Sequence, residues 1–137
     1  MKPDVEQGID QLRKHFSDSE VNVKEDEDGG AYILVEPVDI GPNYTEGTRH
    51  TWIGFHIAYN YPIPDIYPHH VRPDLQRVNG SALQEGMHTG NRFAGFDRPS
   101  VMISRRTTVQ SSWIDQTALV KLLKIIEWCG GSTERCA

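Results

Sequence analysis

The sequence predicts an α+β fold in which helices lie on one face and flank of a small antiparallel sheet. Three observations predict it: an apolar stripe at helical spacing near the N-terminus, alternating segments separated by turns, and a second apolar helix near the C-terminus. At 137 residues the chain has the length of one domain with its own core, which we place at about residues 4–129. We expect the tail, residues 130–137, to be flexible.

The first predicted element is a helix that starts at Pro3, because proline suits the first turn and Asp4 lies at the positive end of the helix dipole. A single apolar stripe then recurs at steps of four, three and four residues: Val5, Ile9, Leu12 and Phe16. The polar residues 17–19 end the helix. One stripe indicates that the helix packs on one surface.

A three- to four-strand antiparallel meander is predicted to follow. Residues 21–24 alternate between apolar and polar and lead into an acidic turn, residues 25–30, which ends in the reversal signal Asp-Gly-Gly. The turn lacks the ligand spacing of a calcium loop, so we interpret it as the solvated tip of a hairpin. The apolar run at residues 31–35 predicts a central strand, and residues 39–50 a polar loop.

Residues 51–72 are predicted to form a core strand that continues into a proline-rich segment, and the other elements are placed around it. Its first half alternates strictly, which is the period of a strand with one face on a core, and the core side is Ile53, Phe55, Ile57 and Tyr59. Four prolines follow: Pro62, Pro64, Pro68 and Pro73. Because proline has no backbone N–H and biases the preceding residue towards extended geometry, the strand should end near Asn60 and continue as a stiff, non-helical segment.

Beyond these prolines the chain has little periodicity until its last helix. Residues 75–95 are broken by glycines and are predicted to form an irregular surface excursion, a kind of loop that is often functional. Residues 101–103 are predicted as a brief extended segment. The closing helix is expected to run from Asp115, a candidate N-cap, to glycines that stop it after residue 129, with Lys121 and Lys124 on its exposed side.

Composition excludes several classes of function. The net charge of −5 argues against nucleic acid as a partner, because phosphate binding needs clustered lysine and arginine. No apolar run approaches the roughly 20 residues that cross a bilayer, so no membrane partner is expected. Cys129 and Cys136 match no disulfide framework or zinc site of known spacing, and His69-His70 has no third ligand. We therefore expect a cytoplasmic protein with reduced thiols, no metal and no cofactor.

Two motifs carry a resemblance to a known family. The third strand runs into the prolines as FHIAYNYPIPDIYP (residues 55–68), and Trp113, in the pattern W-x-D, precedes an apolar helix. With the order of elements, these motifs resemble the ubiquitin-conjugating (E2) superfamily, which includes RWD domains and inactive E2 variants. Together with SRR at residues 104–106, they look more closely like a bacterial E2-like family. That resemblance implies an E2/UBC-like fold and three partners: a ubiquitin-like protein, an E1-like adenylating enzyme and a JAB-type peptidase.

The central cysteine of E2 enzymes is absent from this chain. In that superfamily a cysteine shortly before the tryptophan carries the ubiquitin-like protein as a thioester, and the corresponding position here falls near Ser104, nine residues before Trp113. The resemblance therefore implies Ser104 as the acyl carrier, through an oxyester that is less reactive towards amines than a thioester. Rival hydroxyl groups in the same segment are those of Ser100, Thr107, Thr108, Ser111 and Ser112.

A serine hydroxyl is a weak nucleophile unless a base or an electric field activates it. His88 and His56 are candidate bases, and Arg105 with its neighbour Arg106 could stabilise a developing oxyanion. The two arginines could equally be a docking patch for an acidic partner or solvated loop residues. E2 enzymes carry an asparagine that helps to hold the oxyanion. The residue of this chain that comes nearest to that motif is Asn91, so the resemblance implies this role for Asn91. His56 is explained more simply as a structural histidine beneath one of the helices.

Two functions are compatible with these residues. As an enzyme, the chain would accept the C-terminal acyl group of a ubiquitin-like protein from an E1-like enzyme onto Ser104 and pass it on. As a non-catalytic adaptor of the E2-variant or RWD type, it would bind either partner without a covalent bond; a plainer possibility is an unrelated α+β interaction domain. A base or an oxyanion-stabilising group beside Ser104 would separate the first two. Cys129 is disfavoured as a nucleophile because the negative end of a helix raises a thiol pKa.

Overall fold

A computed structural model describes residues 1–106 and 117–130 of the chain. In chain order the elements are α1 (Pro3–His15), β1 (Glu20–Glu25), β2 (Ala31–Asp39), β3 (His50–Ile57), β4 (His69–Val71), β5 (Met87–Phe93), β6 (Arg98–Ile103) and α2 (Ala118–Cys129). The described residues form a mixed α+β structure with two helices and one six-stranded sheet. The sheet order is β1-β2-β3-β4-β6-β5, and every neighbouring pair is antiparallel.

Both helices contribute to one core on a single face of the sheet. Helix α1 begins at Pro3, as predicted, and buries the predicted stripe through Val5, Ile9 and Leu12. Alternate strand residues meet this core because every second side chain of a strand points to the same face. These include Ala31, Ile33 and Val35 of β2 and Ile53, Phe55 and Ile57 of β3. The predicted core face of β3 is therefore confirmed for these three residues.

The N-cap of helix α2 lies two residues after the predicted cap. The observed N-cap is Thr117, whose side-chain oxygen accepts a hydrogen bond from the Val120 N–H at 3.2 Å, the interaction for which threonine is favoured at this position. The predicted cap, Asp115, lies outside the described residues, as do Trp113 and the tail from residue 131. The helix ends at Cys129, and Gly130 follows it, as the glycine stop predicted.

The sheet has six strands in the described residues, whereas the sequence predicted three or four. Strands β1, β2 and β3 form the predicted meander, but residues 87–93, which were expected in an irregular excursion, form the edge strand β5. The extended segment predicted at residues 101–103 is the end of the longer strand β6. Strand β5 has no clear period because a bulge between His88 and Asn91 interrupts the alternation.

The hairpin of β5 and β6 covers part of the second face of the sheet. Phe93, at the end of β5, stacks on Trp52 of β3 with ring centroids 6.1 Å apart. It also fills the space above Gly54, where an added Cβ would lie 2.3 Å from the Phe93 ring. Tyr32 and Phe96 pack against this smaller core. Strand β3 is therefore buried on both faces, although its alternation predicted burial of only one.

The proline arm, residues 58–68, links β3 to β4 without forming a helix or a strand, as its prolines predicted. Strand β3 ends at Ile57, slightly before the predicted end near Asn60. The arm is fastened to helix α2 by Tyr61, which is 6% exposed and whose hydroxyl accepts a hydrogen bond from the Ala118 N–H at 2.8 Å. Asp65 adds a contact of 3.0 Å to Lys121 on the same helix.

Candidate site at Ser104 and His88

Ser104 lies just beyond the end of β6, where the chain is still paired to the segment before β5. Its backbone N–H donates to the Gly86 carbonyl oxygen at 2.9 Å, which extends the strand pairing by one step. His88 pairs with Met102, so Ser104, two residues further on, is the diagonal neighbour of His88 on the same face. His88 Nε2 lies 2.8 Å from Ser104 Oγ. The hairpin register thus joins two predicted site residues that are 16 positions apart.

The Ser104–His88 pair has the geometry of a nucleophile and a general base. When His88 carries its proton on Nδ1, the Ser104 hydroxyl donates to Nε2 at a distance suited to proton transfer. The Gly86 carbonyl oxygen is a competing acceptor, but its 3.4 Å distance from Oγ makes the bond weaker. His88 is exposed and Ser104 is half-buried, so a protein-sized acyl donor can approach the pair.

No carboxylate completes a triad around His88 within the described residues. Its side chain makes a hydrogen bond to Ser104 alone in this part of the chain. A third group usually fixes the tautomer and the orientation of the histidine in a serine nucleophile site. The arrangement is therefore a Ser–His dyad, in which the bond to Ser104 itself orients the ring.

Arg105 and Arg106 stack on aromatic rings beside Ser104. The Arg105 guanidinium lies 5.1 Å from the centroid of the Trp128 ring, and the Arg106 guanidinium lies 4.4 Å from that of Tyr67. A guanidinium at this distance is attracted to the face of an aromatic ring. The predicted roles of the two cations at an oxyanion or an acidic partner stay predictions.

Asn91 supports the bulge that carries His88. Its side-chain nitrogen donates to the carbonyl oxygens of His88 and Thr89, both at 3.1 Å. These bonds give the two carbonyl oxygens a donor at the point where the bulge interrupts the hydrogen bonds between the strands. The amide is therefore occupied with the backbone of His88, and the oxyanion role that the resemblance implied for Asn91 stays a prediction.

His56 is held by the hairpin of β1 and β2. Its Nε2 lies 2.6 Å from Asp26 Oδ2, and its ring lies 4.6 Å from that of Tyr32. The side-chain hydrogen bond to His56 is the main cause that lowers the pKa of Asp26. His56 points to the face opposite the helices, so the expectation that it packs beneath a helix is wrong. Of the two candidate bases, His88 is the one bonded to Ser104.

His69 and His70 point to opposite faces of β4. His69 is fully buried on the helix side against Phe55, and neither ring nitrogen has a hydrogen-bond partner in the described structure. On the other face, His70 Nδ1 lies 2.8 Å from the hydroxyl oxygen of Ser100. Ser100 is only 1% exposed, so this second Ser–His pair is closed to a protein donor. The described residues contain no cluster of three or more histidine, cysteine or acidic residues that could hold a metal.

Cys129 is enclosed in the main core. Burial raises the pKa of its thiol to about 12, which keeps the sulfur protonated and unreactive at neutral pH. The sequence argument against this thiol rested on the helix dipole, whereas the main cause in the structure is burial. The remaining candidate nucleophiles lie outside the described residues: Thr107, Thr108, Ser111, Ser112 and Cys136.

Comparison of the chain with protein-family models, curated proteins and solved structures finds no match. Among the described helices, none has the length and apolar character needed to cross a bilayer. What the chain does must therefore be inferred from the chemistry of its own residues, and the Ser104–His88 dyad is the arrangement most capable of chemistry in the part of the chain that the structure describes.

Proposed function

We propose that the chain is an E2-like acyl carrier that accepts the C-terminal acyl group of a ubiquitin-like protein on Ser104. The observation that carries the proposal is the 2.8 Å separation of His88 Nε2 and Ser104 Oγ. The enzyme and adaptor functions differ in whether a base reaches Ser104, and His88 reaches it. The order of helix, antiparallel meander, proline arm and closing helix supports an E2/UBC-like fold as part of the same proposal.

In the proposed transfer, Ser104 Oγ attacks the carbonyl carbon of a thioester that the E1-like enzyme has formed with the ubiquitin-like protein. The hydroxyl proton passes to His88 Nε2 while the new C–O bond forms, which gives an imidazolium and a tetrahedral intermediate. Collapse of the intermediate breaks the C–S bond, and the departing thiolate takes the proton from the imidazolium. The products are an oxyester on Ser104, a free thiol on the E1-like enzyme and a neutral His88.

A dyad suits this reaction because the donor is already activated. A thiolate leaves more readily than an amine, so the carbonyl of a thioester needs less assistance than that of an amide. A histidine without an orienting carboxylate can therefore serve as the base. The resulting oxyester is less reactive than a thioester, and its transfer to an amine again requires a base, for which His88 is in place.

The proposal is tested by intact mass after incubation of the chain with ATP, an E1-like enzyme and the ubiquitin-like protein that this enzyme activates. We expect a mass gain equal to the partner minus water, which survives thiol reductant and is cleaved by mild base. Ser104→Ala should abolish the gain, and His88→Asn should slow it by about 100-fold or more, the usual contribution of a positioned base. His56→Asn is the matched control, since His56 is bonded to Asp26 and should not affect the rate.

Two outcomes would contradict the carrier function. A mass gain that survives Ser104→Ala and is lost with Cys129→Ala would move the acyl group to the thiol. Co-elution of the partners on a sizing column without any covalent gain would favour the adaptor function, in which the chain presents a partner without carrying it.

A further inference from the structure

A partly buried ion pair lies behind the segment that carries Ser104. Lys121 of α2 is 8% exposed, and its Nζ lies 3.0 Å from Oδ1 and 3.2 Å from Oδ2 of Asp65 in the proline arm. The same Nζ donates to the main-chain carbonyl oxygen of Arg105 at 2.9 Å. One ammonium group thus joins helix α2, the proline arm and the residue that follows Ser104.

This placement of Lys121 differs from the exposed position that the helical pattern predicted. Burial lowers the pKa of Lys121, while the hydrogen bond and the charge of Asp65 act in the opposite direction. The Asp65 side chain is 27% exposed, and an ion pair that water reaches contributes little to stability. The pair is therefore better explained by what it holds in place than by a contribution to stability.

The backbone around Ser104 is held from two sides. On one side Ile103 pairs with His69 of β4, whose ring is fully buried. On the other side the Arg105 carbonyl is bonded to Lys121. Ser104 lies between these two fixed points, and its own N–H is bonded to Gly86. The β4 pairing ends at Ile103, so the bond from Lys121 to the Arg105 carbonyl restrains the main chain on the far side of Ser104.

We infer that Lys121 is a positioning residue for Ser104, which acts by holding the Arg105 carbonyl. This inference rests on the proposed function of Ser104 as the acyl carrier. Removal of the ammonium group takes away this restraint on the main chain after Ser104, and we expect Oγ then to move out of hydrogen-bond distance of His88 Nε2. A misplacement of about 1 Å between reacting groups can lower a rate by about 100-fold.

The test uses the double variant Lys121→Met with Asp65→Asn. It removes both charges, so that neither residue is left as an ion without its partner. Lys124→Met is the matched control, because Lys124 lies on the same helix and is exposed. The first readout is NMR of ¹⁵N-labelled histidines, with Ser104→Ala as the reference for a broken dyad. We expect the double variant to move the His88 Nε2 signal to the value seen in Ser104→Ala, and Lys124→Met to leave it unchanged.

The second readout is the single-turnover rate of oxyester formation. The double variant should lower the maximal rate by about 10- to 100-fold while the donor concentration at half-maximal rate stays constant, because a displaced Oγ slows the chemical step and not the binding of the donor. A folded double variant with the wild-type His88 signal would overturn the inference, even if the rate falls. The expected shift in His88, together with no oxyester on the wild-type chain, would support the positioning role and refute the proposed function.

If the double variant does not fold, a variant with a milder change still tests the inference. Asp65→Asn alone leaves the Lys121 ammonium with the Arg105 carbonyl as an acceptor, so the His88 signal should remain that of the wild type. A shift of that signal to the Ser104→Ala value would show that Asp65, and not the bond from Lys121 to Arg105, controls the dyad. That result would overturn the inference.

Discussion

Replacement of His69 by leucine should remove an acid-sensitive element from the core. His69 is fully buried, and neither of its ring nitrogens has a hydrogen-bond partner in the described structure. Burial and then the positive charge of Lys121 lower its pKa from 6.5 to about 3, with a smaller lowering from His70 and an opposing effect of Asp65. The folded chain therefore keeps a neutral ring at pH values where the unfolded chain has already bound a proton.

The sign of the effect follows from this difference in proton binding. Between the two pKa values the unfolded state holds one more proton than the folded state. His69 therefore does not reduce the free energy of unfolding above pH 6.5, and it reduces this free energy increasingly as the pH is lowered towards 3. Relative to pH 8, His69 alone should reduce the free energy of unfolding by about 1 kcal/mol at pH 5.5 and by about 3 kcal/mol at pH 4.5. Losses of this size are a substantial part of the stability of a typical domain.

Chemical denaturation followed by tryptophan fluorescence at pH 8, 5.5 and 4.5 measures the effect. Leucine has a similar volume and no polar atom, so His69→Leu should retain or increase stability at pH 8 and should lose about 3 kcal/mol less than the wild type by pH 4.5. His15→Gln, an exposed histidine of α1, should follow the wild type. Parallel curves for wild type and His69→Leu would refute the reasoning and assign the acid sensitivity to other groups, such as Asp26 and Asp39, whose pKa values are lowered.

Two further predictions concern packing and reactivity. Gly54→Ala should lower the free energy of unfolding by about 2 kcal/mol because its Cβ would lie 2.3 Å from the Phe93 ring, whereas Gly47→Ala, with no atom within 4 Å, should leave it unchanged. Equal denaturation midpoints for the two variants would contradict this. In a Cys136→Ala background, Cys129 should resist iodoacetamide at pH 8 until the chain unfolds, because burial raises its pKa to about 12; rapid alkylation of the folded protein, measured by mass, would disprove it.

The elements that could be predicted from the sequence are those with a local period. The stripe of α1 and the alternation of β3 each indicate a buried face, and the structure confirms it for Ile53, Phe55 and Ile57 of β3. Tyr59, which the same alternation named, lies beyond the end of β3 and is exposed. Strand β5 lacks such a signal because it is an edge strand with a bulge. The burial of Trp52 and Gly54 could not be predicted from β3 itself, because the residue that covers them, Phe93, lies far along the chain.

The candidate site could be predicted only in part. Ser104 follows from its spacing to Trp113 under the resemblance, and His88 was one of two candidate bases. What distinguishes His88 from His56 is the register of β5 on β6, which pairs His88 with Met102, and no local pattern indicates that β5 exists. Lys121 was predicted to be exposed because a helical stripe does not reveal its ionic partner, Asp65 of the proline arm.

The position of the acyl group on the chain tests the central claim most directly. After transfer, trypsin should release residues 93–105 as one peptide, because Pro99 blocks cleavage after Arg98, and its only hydroxyl side chains are Ser100 and Ser104. Tandem mass spectrometry should locate the remnant of the ubiquitin-like protein on Ser104, since Ser100 is buried. A remnant on Cys129, on residues 107–112, or on no residue of the chain would contradict the account.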